Sequence, residues 1–363
     1  MILRAGAIGD TLMVTPLVRA LRRTFPHAYL IFLCSRTAQD ILCHNPHLDR
    51  VIALAYRHLP IWLSPEKLRI LRYLRHLKLD GVLALESRPR LLDVVCRAGA
   101  ARVVGYGYLP DGKGFERVRF DPRRHCIENH LRAAEGLGLQ AAGPEMELFY
   151  PSEWDEALRK RLARAGIQEE DCLLGIHPGW GGRKYPLHQT RLRSWPAHNF
   201  AHVIQGVVKT MGARVVLTGS AADRSLAEYI ARLAAVPSLN LAGELTVLEL
   251  AALIRRLHLY LTVDSGPAHM AAALGTPLIT LWGPGVLEQT APLAGRGPVR
   301  ILYHRVQCAP CYGTLRMKIC QDNICMKQIE AAEVLEAVGQ AWRSWGRQNP
   351  ETIRPRCELR PRA

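Results

Sequence analysis

The chain has 363 residues, 48% hydrophobic and 22% charged, with 48 Lys and Arg against 32 Asp and Glu and a net charge of +16. This is a globular balance, in a chain long enough for two cores, and without a run of ~18 uninterrupted apolar residues no membrane-spanning helix is expected. The cationic excess favours an anionic partner. No polybasic run or aromatic-interleaved basic stripe is present, which argues against nucleic acid and leaves an anionic lipid or a phosphorylated substrate. The start, Met1-Ile2-Leu3-Arg4, leads directly into a strand-like segment without the successive regions of a signal peptide. A cytoplasmic protein is expected, at most peripheral at a membrane face, where each basic group near an anionic leaflet is worth ~1 kcal/mol.

In chain order, apolar runs alternate with segments of helical periodicity. Residues 1–4 read as a strand, Gly6 to Asp10 as a turn, and Thr11 to Phe25 as a helix with Val14, Leu17, Val18 and Leu21 on one face. Strands are expected at 29–34, 50–55, 81–85 and 102–106, with helices at 38–43 and 65–76. Gly143, Pro144, Pro151 and the polar stretch Ser152 to Lys160 read as a junction within 142–170. Beyond it, strands are expected at 172–177, 213–218, 259–263 and 277–282, and helices at 196–209, 222–233, 246–256 and 267–274. This alternation predicts two parallel-sheet α/β domains, taken as 1–150 and 151–330, then a C-terminal helix at 331–345 and a polar, Pro-containing tail at 346–363.

Four segments follow strands, where α/β proteins place ligands. Val263-Asp264-Ser265-Gly266-Pro267-Ala268-His269 predicts a strand end, a cap at Asp264 or Ser265 and a helix begun by Pro267. Gly266 would admit close approach of a phosphate to the helix N-terminus, and an ordinary capped helix with a buried His269 is the alternative. Gly6 to Thr11 puts Asp10 at the first strand-to-helix turn, as a helix cap or as a general base. His177-Pro178-Gly179-Trp180-Gly181-Gly182-Arg183-Lys184 is a glycine-rich loop with cations suited to phosphate oxygens, or a surface loop. Thr218-Gly219-Ser220-Ala221-Ala222-Asp223 offers Asp223 either to a ribose or as a cap.

Taken in order, Gly9-Asp10-Thr11 with Thr15-Pro16, His177-Pro178-Gly179, Trp195-Pro196, Thr218-Gly219, Leu241-Ala242-Gly243, Asp264 to His269 and Trp282-Gly283-Pro284 resemble glycosyltransferase family nine, the lipopolysaccharide heptosyltransferases, over residues 1 to about 340. The resemblance implies a GT-B fold, two Rossmann-like α/β domains facing a central cleft, the first binding acceptor and the second nucleotide-sugar. It implies inverting transfer of heptose, or a related sugar, from ADP-heptose to the lipopolysaccharide inner core or a similar glycolipid, without metal or other cofactor. Asp10 resembles the family's proposed base. Asp264, Ser265, Gly266 and His269 resemble its diphosphate and sugar contacts, and Asp223 more loosely an acidic position near the nucleoside. Arg193 stands where the family usually has a phosphate-binding Lys before Trp-Pro; Arg keeps the charge and changes the geometry. The loop before it is longer than usual, so Lys184 competes for the role. A non-catalytic nucleotide-sugar binder on the same fold is the alternative.

Such a mechanism has a physical logic. Cleaving a sugar–phosphate bond leaves growing negative charge on the diphosphate, which a helix N-terminus and fixed cations can stabilise. Cys308, Cys311, Cys320 and Cys325 form a separate cluster whose first pair has zinc-like spacing; reduced thiols are the expectation there, with a structural metal as the other possibility.

Overall fold

The computed structural model describes residues 1–55, 59–107, 115–140, 142–180 and 192–345. The chain divides into two compact units, Met1–Phe149 and Tyr150 onward. In the first, β1 (Ile2–Arg4), β2 (Ile31–Ser35), β3 (Arg50–Leu54), β4 (Gly81–Ala84), β5 (Arg102–Gly105) and β6 (Phe115–Arg117) form one parallel sheet ordered β3-β2-β1-β4-β5-β6. One face packs on Leu71, Leu74, Leu91 and Val95; the other on Val14, Leu17, Val18 and Ala133. Burial on both faces explains why β2 reads as a continuous apolar run.

In the second unit β7 (Leu173–His177), β8 (Arg214–Leu217), β9 (Ser238–Asn240), β10 (Leu259–Val263), β11 (Leu278–Leu281) and β12 (Val299–Leu302) give a parallel sheet ordered β12-β11-β10-β7-β8-β9. Counted within its own unit this is the same winding, in which the strand order reverses between two neighbouring central strands. Those strands are β1 and β4 in the first unit and β7 and β10 in the second. Crossovers leave the sheet in opposite directions at such a point and open a crevice at the carboxyl ends of the strands. Residues 331–345 are not a separate appendage. The helix Ala331–Trp345 puts Val334, Ala337, Val338, Ala341 and Trp342 into the same core as Phe200, Ile204 and Val207 of the helix Ala197–Met211.

Two expectations fail locally. The helix read at Thr11 to Phe25 is two helices, Ile8–Leu12 and Thr15–Thr24. Pro16 cannot occupy a helix interior, so the chain breaks at Met13–Val14 and restarts with Pro16 in the first turn. The polar stretch read as a junction is largely the helix Glu153–Arg164, held by only two buried side chains, Leu158 and Leu162, a stripe too thin to show against its charges.

Candidate functional site

In the first unit, the chain leaving β1 enters the helix Ile8–Leu12 with Asp10 in its first turn. The Asp10 carboxylate accepts from the Ala7 N–H at 2.9 Å and from Arg4 Nη2 at 2.7 Å. Arg4 ends β1, and its other guanidinium arm donates to the Leu85 carbonyl beyond β4 at 3.0 Å. Gly6 allows this approach, since a Cβ there would lie 2.4 Å from Asp10 Cβ. Asp10 thus closes the turn and also presents an ion-paired carboxylate, its side chain 35% exposed, at the point where strand order reverses.

Sequence reading missed a second acid here. Glu86, just past β4, is buried and takes a two-armed contact from Arg88, which also donates to the Ala5 carbonyl at 2.9 Å. Burial works to raise the Glu86 carboxyl, but Arg88 and Arg4 outweigh it and hold it below the usual carboxylate range. The signal was its place at a strand's carboxyl end, as for Asp10. His130 lies behind this group, 3.3 Å from the Tyr106 hydroxyl; burial, reinforced by Arg4, lowers its pKa to about 3.

In the second unit, Asp264 directly follows β10, and the helix Gly266–Leu274 begins two residues later. Ser265 occupies the cap position but does not cap: its hydroxyl lies 2.9 Å from Thr262 Oγ1. Asp264 does not cap either. Its carboxylate meets Arg193 Nη1 at 2.9 Å, both side chains nearly buried. The expected capping roles are therefore replaced, and among the described residues no side-chain cap at the start of this helix is made by Ser265 or Asp264. Burial raises the Asp264 carboxyl above its ordinary value, with the Arg193 charge opposing. Gly285 must be small, because a Cβ would sit 2.7 Å from Asp264 Oδ2.

Arg193 is held on further sides. Its guanidinium carbon lies 4.3 Å from the Trp180 ring centroid and 4.2 Å from that of Tyr312. The structure brings together Arg193, Asp264, Ser265 and Gly266; His269 is buried in the following turn. Lys184 lies outside the described residues. Asp223 is buried and serves as a turn acid, its Oδ2 accepting from the Ser220 N–H at 2.8 Å and the Ser220 hydroxyl at 2.6 Å. It also touches the β7 loop: a Cβ on Gly179 would fall 2.1 Å from Asp223 Oδ1. His177, ending β7, lies 3.0 Å from Thr218 Oγ1, which is 2.8 Å from the Tyr260 hydroxyl.

Of the cluster cysteines, Cys311 and Cys320 pack with Leu192 and Met317, and Cys325 enters the main core. All four are free thiols, and among the described residues no group of three or more His, Cys, Asp and Glu is placed to hold a metal ion.

The buried histidines make stability depend on pH. Burial lowers His177 to about 4 and His130 to about 3. Between about pH 6.5 and those values the unfolded chain binds protons that the folded chain refuses. Stability is therefore complete above about pH 6.5 and falls as pH drops, by ~1.4 kcal/mol per pH unit for each ring. Urea unfolding of wild type and His130→Gln between pH 7 and pH 5 should show a shallower slope in the variant, a comparison that sets aside carboxylates titrating in the same range. Equal slopes would refute the assignment.

Over residues 186–318 the chain matches the family model of glycosyltransferase family 9 (heptosyltransferase). It is 31% identical over 314 residues to lipooligosaccharide heptosyltransferase 2 of Haemophilus influenzae, covering 80% of this chain and 85% of the relative. The chain belongs to glycosyltransferase family 9. Solved structures agree on the fold. The glycosyl transferase family 9 protein of Veillonella parvula superposes with a TM-score of 0.80 at 20% identity, over 94% of this chain and 96% of that one. ADP-heptose lps heptosyltransferase II of Escherichia coli gives 0.72 at 22% identity, over 94% and 97%. The fold of this family 9 glycosyltransferase is GT-B, and its two sheets are the two Rossmann-like units of that fold. Among its described residues no helix is long and apolar enough to cross a membrane.

Proposed function

We propose that this glycosyltransferase transfers a heptose or closely related sugar, with inversion, from ADP-heptose to the lipopolysaccharide inner core or a similar anionic glycolipid. In this reading the first unit, about 1–150, binds acceptor and the second, about 151–330, binds donor. The observation that carries it is the placement, at the β7–β10 reversal, of a fixed guanidinium on Asp264 beside a helix start that neither Asp264 nor Ser265 caps. Such a start presents the Gly266 N–H and a partial positive charge, Pro267 having no N–H and Ala268 donating to the Ser265 carbonyl, and a charged fork beside it is suited to a diphosphate. Relatives named as heptosyltransferases, one of them for ADP-heptose, support the choice of sugar and nucleotide.

The roles follow from chemistry. Arg193 and the first turn of Gly266–Leu274 take the charge that builds on the leaving diphosphate, with no step assigned to a metal ion. Asp264 is an anion and a poor partner for phosphate; it fits the sugar hydroxyls while serving as counter-ion to Arg193. Ser265 and His269 line the same turn, and Asp223 acts at the nucleoside through the loop at Gly179. Lys184 is a second candidate for the diphosphate. Asp10, ion-paired with Arg4, takes the proton of the attacking acceptor hydroxyl. The +16 charge suits an acceptor that carries phosphate at a membrane surface.

A thermal-shift titration tests the donor class. A ligand that binds only the folded state stabilises it by ~2.7 kcal/mol at a hundred times its Kd. ADP is expected to raise Tm in a concentration-dependent way and UDP and GDP much less. A larger shift with UDP or GDP would rule out the adenine nucleotide, and absence of turnover with ADP-heptose and a heptose-deficient lipopolysaccharide would rule out the reaction.

A further inference from the structure

The segment carrying the four cysteines has no part in the mechanism above, yet it converges on Arg193. The Arg193 guanidinium carbon lies over the Tyr312 ring, 4.2 Å from its centroid, and over a second ring, Trp180, at 4.3 Å. Tyr312 is itself fixed: its N–H donates to the Pro284 carbonyl at 2.9 Å, as does the Cys311 N–H at 3.1 Å. Cys311 and Cys320 pack against Leu192, the residue before Arg193. Asn323 donates its side-chain amide to the Ser194 carbonyl at 2.8 Å and reaches the Leu192 carbonyl at 3.4 Å. The backbone on both sides of Arg193 and one side of its guanidinium are thus held by residues 311–323.

We propose that Tyr312 is a positioning residue for the donor reaction: its ring, seated by the cysteine-bearing segment, sets the plane of the Arg193 guanidinium so that the fork meets the diphosphate of the nucleotide-sugar. The inference rests on the donor reading given above. Arg has about four freely rotating side-chain torsions and would lose binding energy by ordering only when ligand arrives. A guanidinium held against two rings is ordered beforehand, and the Asp264 contact fixes which way it turns. Stacking also leaves the edges of the guanidinium, where its N–H groups lie, directed away from the rings. Tyr312 acts on Arg193 through its ring face, which Phe keeps.

Two measurements on the full chain test this. The first needs no ligand. With 15N-labelled arginine, the Arg193 Nε–H resonance, assigned by its loss in Arg193→Lys, is expected upfield through the ring currents of both rings. It should keep that position in Tyr312→Phe and move toward the ordinary arginine position in Tyr312→Leu. The second is calorimetric titration with ADP. A cation–π contact of this kind corresponds to about 3- to 30-fold in affinity. Tyr312→Leu should lose that much, and Tyr312→Phe should stay within about twofold of wild type. Wild-type ADP affinity in Tyr312→Leu overturns the proposal, as does an unmoved resonance in that variant or a Phe variant as weak as Leu. If wild type binds no ADP while the resonance behaves as stated, the donor reading fails and the stacking itself stands.

Discussion

Replacing Asp10 by Ala is expected to lower the rate of transfer ~100- to ~10,000-fold, the usual effect of losing an aligned base, while ADP affinity stays within about twofold. The separation follows from where Asp10 sits. Its carboxylate touches Arg4 and the Ala7 N–H, both in the first unit, and the proposed donor contacts all belong to the second. Asp10→Asn is the sharper variant. It keeps the shape, and its amide oxygen can still accept from Ala7, but it carries no charge for Arg4 and cannot take a proton at neutral pH. Both variants should therefore be equally inactive if the role is proton abstraction. If Asp10 merely closes the turn, Asn restores most of the activity. Steady-state transfer from ADP-heptose, with ADP titration of the same preparations, separates these outcomes, and transfer near the wild-type rate in Asp10→Asn would end the base assignment.

The second large effect concerns Arg193. Removing one partner of a buried ion pair leaves the other charge uncompensated and costs ~3–5 kcal/mol, so Arg193→Ala should lose stability as well as donor binding. Arg193→Lys keeps the charge for Asp264 but loses the planar fork and the stacking on Trp180 and Tyr312. It is expected to fold and to bind ADP about tenfold more weakly. Arg193→Met combined with Asp264→Asn removes both charges, so no buried ion is stranded; this pair should recover stability over Arg193→Ala while ADP binding falls ~10- to ~150-fold, the worth of a charge-assisted hydrogen bond of ~1.5–3 kcal/mol. Calorimetry with ADP reads the affinities and urea unfolding the stabilities. Wild-type ADP affinity in both the Lys variant and the double variant would remove Arg193 from the donor site and shift attention to Lys184.

Much of this was legible in the sequence because it is local. The helix Pro65–His76 is bounded as read, with Ser64 accepting from the Lys67 N–H at one end and basic residues at the other. The segment Val263 to His269 announces a strand end and a helix start in seven residues. What was hidden depends on pairing at a distance. No pattern in the chain says that β1 neighbours β4, or β7 neighbours β10, so none says that Leu85 receives Arg4 or that Arg193 turns to Asp264. Capping by Asp264 or Ser265 is a sound local expectation, overruled by a distant guanidinium for the first and by Thr262, three residues back, for the second. Glu86 and Arg88 were passed over because neither belongs to a glycine-rich turn; their importance comes only from where β4 ends. The cysteine spacing poses a choice between reduced thiols and a metal, whereas the packing of Cys311 and Cys320 against Leu192 ties this segment to the residue before Arg193.

The helix Ala331–Trp345 carries a different implication. Its Val334, Val338 and Trp342 complete the core beneath β7 and β8, strands made well over a hundred residues earlier. During synthesis the first unit has every strand of its sheet available once residue 149 has cleared the ribosome. The second must keep the apolar faces of Ile204 and Val207 covered by other means until almost the whole described chain has emerged. A message cut short after β12 would thus yield a finished first unit joined to a second one with an open flank, a species for chaperones and proteases to recognise.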